Sequence, residues 1–105
     1  ERWEAALELT AERVRVKQSR GADALELART RFNDYFPLLR LRRFEPARQL
    51  LVGCRAVFEA EHDFANLGRV YSALADLEDE TGGRAEAVRF QQAGEGSRGD
   101  ALAQR

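Results

Sequence analysis

The chain has 105 residues, enough for one small domain with a single core. It is 44% apolar and 33% charged, with 17 basic residues against 18 acidic ones, which excludes a disordered polar chain and any global attraction to nucleic acid or an anionic membrane. No apolar run is long enough to span a bilayer, and the lone cysteine, Cys54, cannot form an internal disulfide, so a reducing, cytoplasmic setting is expected. The chain opens on Glu1 with no initiator Met, leader or lipidation motif, which suggests a segment of a longer protein.

Seventeen alanines and sixteen arginines stand against six valines, three threonines and no isoleucine. Strands need β-branched and aromatic residues in quantity, so the composition points to an all-α fold with no sheet. The same Ala, Arg, Leu and Glu bias suits a GC-rich bacterial genome.

Periodicity divides the chain into five helices. The first, over 2–20, carries Trp3, Ala6, Leu7, Thr10 and Val14 on one face and stops at Gly21, which suits the left-handed residue past a helix end. In the second, from Asp23 to Leu41, the residues Leu25, Ala28, Phe32, Tyr35 and Leu39 step by threes and fours, and Asp23 with Glu26 reads as a capping box. Pro37 removes a backbone hydrogen bond there and crowds the carbonyl of Asn33, so this helix should kink or end early. The third, over 44–62, repeats the stepping with Phe44, Ala47, Leu51, Cys54 and Phe58, and Pro46 sits harmlessly in its first turn. The fourth starts at Asp63, capped as Asp23 is, and carries Phe64, Leu67, Tyr71, Leu74 and Ala75. The fifth begins after Gly82-Gly83 with Ala87, Val88 and Phe90 and should fail near Gly94, because each helical glycine costs about 1 kcal/mol. Residues 95–105 are then expected to be a flexible tail.

The helices repeat. Trp3-Glu4-Ala5-Ala6 aligns with Phe44-Glu45-Pro46-Ala47 and with Arg84-Ala85-Glu86-Ala87, and a shift of 40 carries Leu27-Ala28-Arg29 onto Leu67-Gly68-Arg69 and Asp23 onto Asp63. The unit is an antiparallel helix pair, A then B. The domain over 1–94 thus holds a B helix (2–20) and two A/B pairs (23–62 and 63–94). The small residues Ala6, Ala47, Ala87, Ala28 and Gly68 let backbones approach closely, and Gly53 is expected to do the same.

Leu67-Gly68 followed by Tyr71, and Phe44-x-x-Ala47 followed by Cys54, resemble the first and second helices of tetratricopeptide repeats (TPR). The likeness covers roughly residues 2 to 94. Its period matches the longer variants of about 40 residues, similar to those of kinesin light chains and bacterial regulators, better than the usual 34. Within it, Arg31 stands where Tyr71 does, Pro37 interrupts an A helix, and the helix-terminating Pro is absent. The resemblance implies an α-α superhelix, a right-handed array with A helices on the concave face and B helices on the convex one.

Residues with obvious chemistry occur singly, so no catalysis, metal or cofactor is expected. Cys54 lies on an apolar stripe, and His62 ends a B helix with no second ligand at metal spacing. The acidic run Asp76, Glu78, Asp79 and Glu80 reads as a solvated helix end, and Gly82-Gly83 follows no strand. Arg40, Arg42 and Arg43 form a basic knot too isolated for nucleic-acid binding, and Arg98-Gly99-Asp100 in the tail reads as coincidence.

What the resemblance leaves is binding by shape. It places Arg29 and Arg69 in the concave groove at equivalent positions, with Phe32, Asn33, Ser72 and Asp76 extending the surface. Arginines beside amides suit carboxylates and extended peptide backbone, the competing reading being that they pair with Glu26 or Asp76. The expected function is a protein-protein interaction scaffold gripping a peptide or protein partner, with no nucleic-acid or membrane partner. The alternatives are a peptide-sensing segment of a larger bacterial regulator and a homo-oligomer joined through the unpaired first helix around Trp3 and Leu7.

Overall fold

The computed structural model describes residues 1–83 and 88–96. These residues form α1 (Arg2–Ser19), α2 (Ala24–Phe32), α3 (Tyr35–Arg40), α4 (Phe44–Ala60) and α5 (Phe64–Thr81). A further helical stretch covers 88–96, and no strand occurs among the described residues. The fold is all-α. The third copy of the small-residue motif, Arg84 to Ala87, and the tripeptide at Arg98 lie outside the described residues.

Local chemistry sets the boundaries. Asp23 accepts a hydrogen bond from the Glu26 N–H at 2.9 Å and Asp63 one from the Asn66 N–H at 3.3 Å, each filling a donor that the first helical turn leaves without a partner. The expected second helix is split at Asn33 and Asp34, and Pro37 falls in the first turn of α3, where a missing N–H does no harm.

Four helices end in the same way. The residue just past each end has positive φ: Gly21 (78°), Arg42 (58°), His62 (55°) and Gly82 (88°). In each case its N–H bonds three residues back and the next N–H bonds five back, as in Ala22 to Lys17 and Asp63 to Phe58, both 2.9 Å. This is the Schellman closure, which satisfies the last carbonyls and reverses the chain. From Gly21 through Arg42 and His62 to Gly82, the closures fall at nearly even intervals along the chain.

The reversals build two layers. The Arg29 guanidinium on α2 reaches Asp63 at the start of α5, and the Tyr35 hydroxyl donates to the Ala73 carbonyl at 3.1 Å, so α2 and α3 run alongside α5 in the same direction. Glu4 and Arg43 pair the starts of α1 and α4. Arg48 on α4 makes a double-pronged contact with Glu78 at 3.0 and 2.9 Å, tying the start of α4 to the end of α5. α1 packs on α2 and α3, and α4 packs on α2, α3 and α5, whereas no packed face joins α1 to α5 among the described helices. The molecule measures 35 × 34 × 17 Å, a slab about two helices thick.

The core lies between α4 and α5. Leu51 and Phe58 from one helix meet Val70, Leu74 and Leu77 from the other, all 1% exposed or less. Burying each such side chain contributes about 1.5–3 kcal/mol. Ala47 is fully buried, and Cys54 approaches the Ala28 carbonyl with its Sγ at 3.6 Å. The same approach recurs one repeat later. A Cβ placed on Gly94 would lie 3.4 Å from the Gly68 carbonyl and 3.3 Å from the Tyr71 Cβ. Gly94 is therefore a buried packing residue inside a helical stretch that continues to residue 96, where helix propensity alone predicts a stop near it, and the rest of the expected tail lies outside the described residues.

Gly53 is also corrected. It is exposed, and a Cβ added to it would meet nothing within 4 Å.

The contact of α1 with α2 and α3 is more polar. Lys17 donates to Thr30 at 2.8 Å, and the buried Thr10 faces Asp34, whose Oδ1 is buried without a hydrogen-bond partner. Burial pushes the Asp34 carboxyl above its ordinary 3.8, against the pull of the Thr10 hydroxyl. Trp3 packs edge-on against Phe36 at 5.4 Å, so the large apolar side chains that α1 leaves exposed are Leu9 and Val16 rather than Trp3 and Leu7.

Two outcomes follow from this packing. Ala47→Leu overpacks a fully buried site and is expected to cost about 1–3 kcal/mol in a denaturant melt, whereas an unchanged midpoint would place Ala47 at a looser contact. His62→Gly relieves a left-handed backbone at an exposed side chain and is expected to stabilise the fold by roughly 1 kcal/mol, read as a rise of several degrees in Tm.

Candidate functional site

α2 and α3 are tied to α5 along one side of the molecule by the contacts of Arg29 with Asp63 and of Tyr35 with Ala73, and the chemistry of that side begins at the α5 N-terminus. Asp63 accepts from the Asn66 backbone and side-chain amide (2.8 Å) and from Arg29 Nε and Nη2 at 3.2 and 3.0 Å. Burial pushes its carboxyl up, but the bonds from Asn66 and Arg29 outweigh that and hold it below the ordinary 3.8. Arg29 is thus a brace between α2 and α5, with half of its side chain still open to solvent.

Arg69 occupies the equivalent position on α5 and differs in its surroundings. It is exposed and makes no ion pair among the described residues. The two arginines share a repeat position but not a role.

Farther along this face, the break at Asn33 and Asp34 turns the chain so that Tyr35 reaches α5. Phe32 stacks on the Tyr35 ring at 6.5 Å, and Asn33 is exposed at the end of α2. The Tyr35 hydroxyl is pushed up to about 12 by burial and then by the negative charges of Asp76 and Glu80. Burial and the nearby Asp79 and Glu80 raise Asp76 in turn. The face therefore carries an exposed guanidinium at Arg69 and an acidic end at Asp76, about 10 Å apart along α5.

Ser72 is the outlier among the expected residues. Its Oγ lies 3.8 Å from the position of a Cβ on Gly94, on the flank of α5 toward the 88–96 stretch. Tyr35 and Glu80 also belong to the face, although the sequence reads Tyr35 as part of the apolar stripe of an unbroken helix and Glu80 as part of a solvated acidic run; only the break at Asn33 and Asp34 brings the Tyr35 hydroxyl to α5.

The other groups with chemical potential are accounted for by packing. Cys54 is buried with its thiol pushed up to about 11, chiefly by burial, and is a small inert hydrophobe. Arg40 lies over Phe36 and Arg42 over Phe44, while Arg43 pairs with Glu4, so the basic knot is dispersed. Among the described residues no group of three or more His, Cys, Asp or Glu side chains is arranged to hold a metal ion, and no described helix is long and apolar enough to cross a membrane.

The difference between the arginines is measurable. Because the folded-state carboxyl of Asp63 is held low, its contribution is present above the unfolded value near 3.8 and is lost as pH falls through the lower folded value. Arg29→Ala is expected to cost about 0.5–1 kcal/mol at pH 7, with the penalty fading in strong acid, and Arg69→Ala to stay within about 0.5 kcal/mol at every pH. Thermal melts of both variants across pH 2 to 7 check this. Set against family models, characterised proteins and solved structures, the chain matches none.

Proposed function

We propose that this chain is a TPR-like helical-repeat interaction module that binds a peptide or protein segment on the face formed by α2, α3 and α5, and that it acts by binding rather than by catalysis. The observation that carries the reading is the recurrence, one repeat further along the chain, of a single inter-helix contact: Ala28 with Cys54, then Gly68 with Gly94. A contact repeated at a constant interval generates a constant displacement between successive helix pairs, and such stacking produces an extended face on one side.

The chemistry of that face favours a chain segment carrying charge of both signs. Arg69 offers a solvent-accessible fork for a carboxylate, and Asp76 with Glu80 offers acceptors for a cation or for peptide N–H groups. Phe32 and Tyr35 supply apolar area between them. Arg29 contributes through shape, by bracing α2 against α5.

A displayed library of random peptides, selected on the purified chain, tests the reading. Enriched peptides are expected to pair an acidic with a basic residue, to bind about tenfold more weakly to Arg69→Ala, and to lose affinity with salt as exposed charges are screened over about 8 Å at physiological ionic strength. Absence of enrichment, or peptides indifferent to both Arg69→Ala and Asp76→Asn, would remove the face from consideration.

A further inference from the structure

The opposite side of α2 holds a second feature. Between α2 and α4 lies a half-enclosed cavity of about 350 Å³ walled by Leu27, Leu50, Gly53 and Val57, with Arg31 and Gln49 also on its lining. Leu27 and Arg29 are about 200° apart around α2, so this cavity faces away from the peptide-binding face proposed above.

The repeat explains why it is open. A shift of 40 carries Arg31 onto Tyr71 and Leu50 onto Phe90. In the second pair, Tyr71 and Phe90 stack at 6.3 Å and the Tyr71 hydroxyl donates to Glu59 at 3.0 Å, filling the corresponding space with two rings. The first pair has an arginine and a leucine there instead. No Cβ projects from Gly53, and one would meet nothing within 4 Å.

The layout of the lining is amphipathic. The approach of Cys54 to the Ala28 carbonyl fixes the antiparallel register of α4 on α2. Arg31, three residues beyond Ala28, therefore lies level with Leu50 and Gln49, while Val57 lies at the other end beside Ala24. One end offers a guanidinium and a carboxamide, and the rest is apolar. Arg31 is exposed and makes no ion pair among the described residues.

We propose that this cavity is a binding site for a medium-chain alkyl carboxylate, its chain lying along Leu27, Gly53 and Val57 in the space that the aromatic pair fills in the second repeat and its carboxylate on Arg31 and Gln49. The volume falls at the lower end of small-ligand pockets, about 300–1,000 Å³. The span from Gln49 to Val57, about 12 Å along the helix, matches a chain of roughly ten carbons. Carboxylate and guanidinium form a charge-assisted pair, and the alkyl chain removes apolar wall from water.

The test uses decanoate below its micellar concentration, with decanol as the chain without the charge and acetate as the charge without the chain. Binding is followed by the NMR shift of the Gly53 amide and by Tm. Decanoate is expected to move the Gly53 signal saturably and raise Tm, decanol to bind at least tenfold more weakly, and acetate to do neither. Arg31→Gln, at an exposed position, is expected to weaken decanoate at least tenfold with its own Tm unchanged. Arg31→Tyr with Leu50→Phe rebuilds the second repeat's pair and is expected to abolish binding while raising Tm. Should that double variant not fold, Arg31→Gln decides alone. Decanoate that leaves Gly53 unmoved, or that binds Arg31→Gln as tightly as the parent, overturns the proposal. A concentration-dependent dimer lost in Arg31→Gln would overturn it as well, naming a second copy as the occupant.

Discussion

The left-handed turn that ends four of the helices governs the rest of the structure. A residue with positive φ lets two backbone N–H groups fold back onto the last carbonyls, and the chain leaves antiparallel to the direction in which it came. Because these turns are nearly evenly spaced, every helical run between them has nearly the same length and each returns alongside the last. Two of the four positions are occupied by Arg42 and His62, side chains that disfavour such a backbone by about 1–2 kcal/mol relative to glycine. The fold accepts that cost because apolar packing on both sides of the turn fixes the reversal.

Packing then distinguishes the two halves of the array. Around α4 and α5 the contacts are aliphatic and aromatic, with Phe58, Leu51, Leu74, Leu77 and Val70 withdrawn from water. Around α1 they are carried by Thr10, Lys17, Thr30 and Asp34, and Asp34 holds a buried oxygen with no partner. A buried polar atom left in that state costs about 1–3 kcal/mol, so α1 is the less tightly held end of the slab. The sites follow the same division. The surface on the α2, α3 and α5 side is polar and braced by Arg29, whereas the cavity lies on the other side, where the first helix pair has Arg31 and Leu50 at the positions of the stacked Tyr71 and Phe90 of the second.

The sequence by itself determined the helical class, because a chain rich in Ala, Arg and Leu and poor in β-branched residues has no means of building a sheet. It also determined the caps at Asp23 and Asp63, the turn at Gly21 and the interruption by Pro37, since each depends on one side chain and its nearest backbone. The repeat interval was legible for the same reason: identical local chemistry recurs at it.

Tertiary structure decided what depends on a distant partner. The packing role of Gly94 requires Gly68 and Tyr71 beside it, and helix propensity alone reads the residue as a stop. Gly53 reads from sequence as a close-packing residue, and only the absence of a neighbour shows that it lines a cavity. Arg29 and Arg69 are indistinguishable by repeat position, and the difference between brace and free cation arises because Asp63 reaches one of them across the helix layer while no acid among the described residues meets the other. Local preferences act over about one helical turn, whereas burial and pairing are set by whichever helix the turns bring alongside.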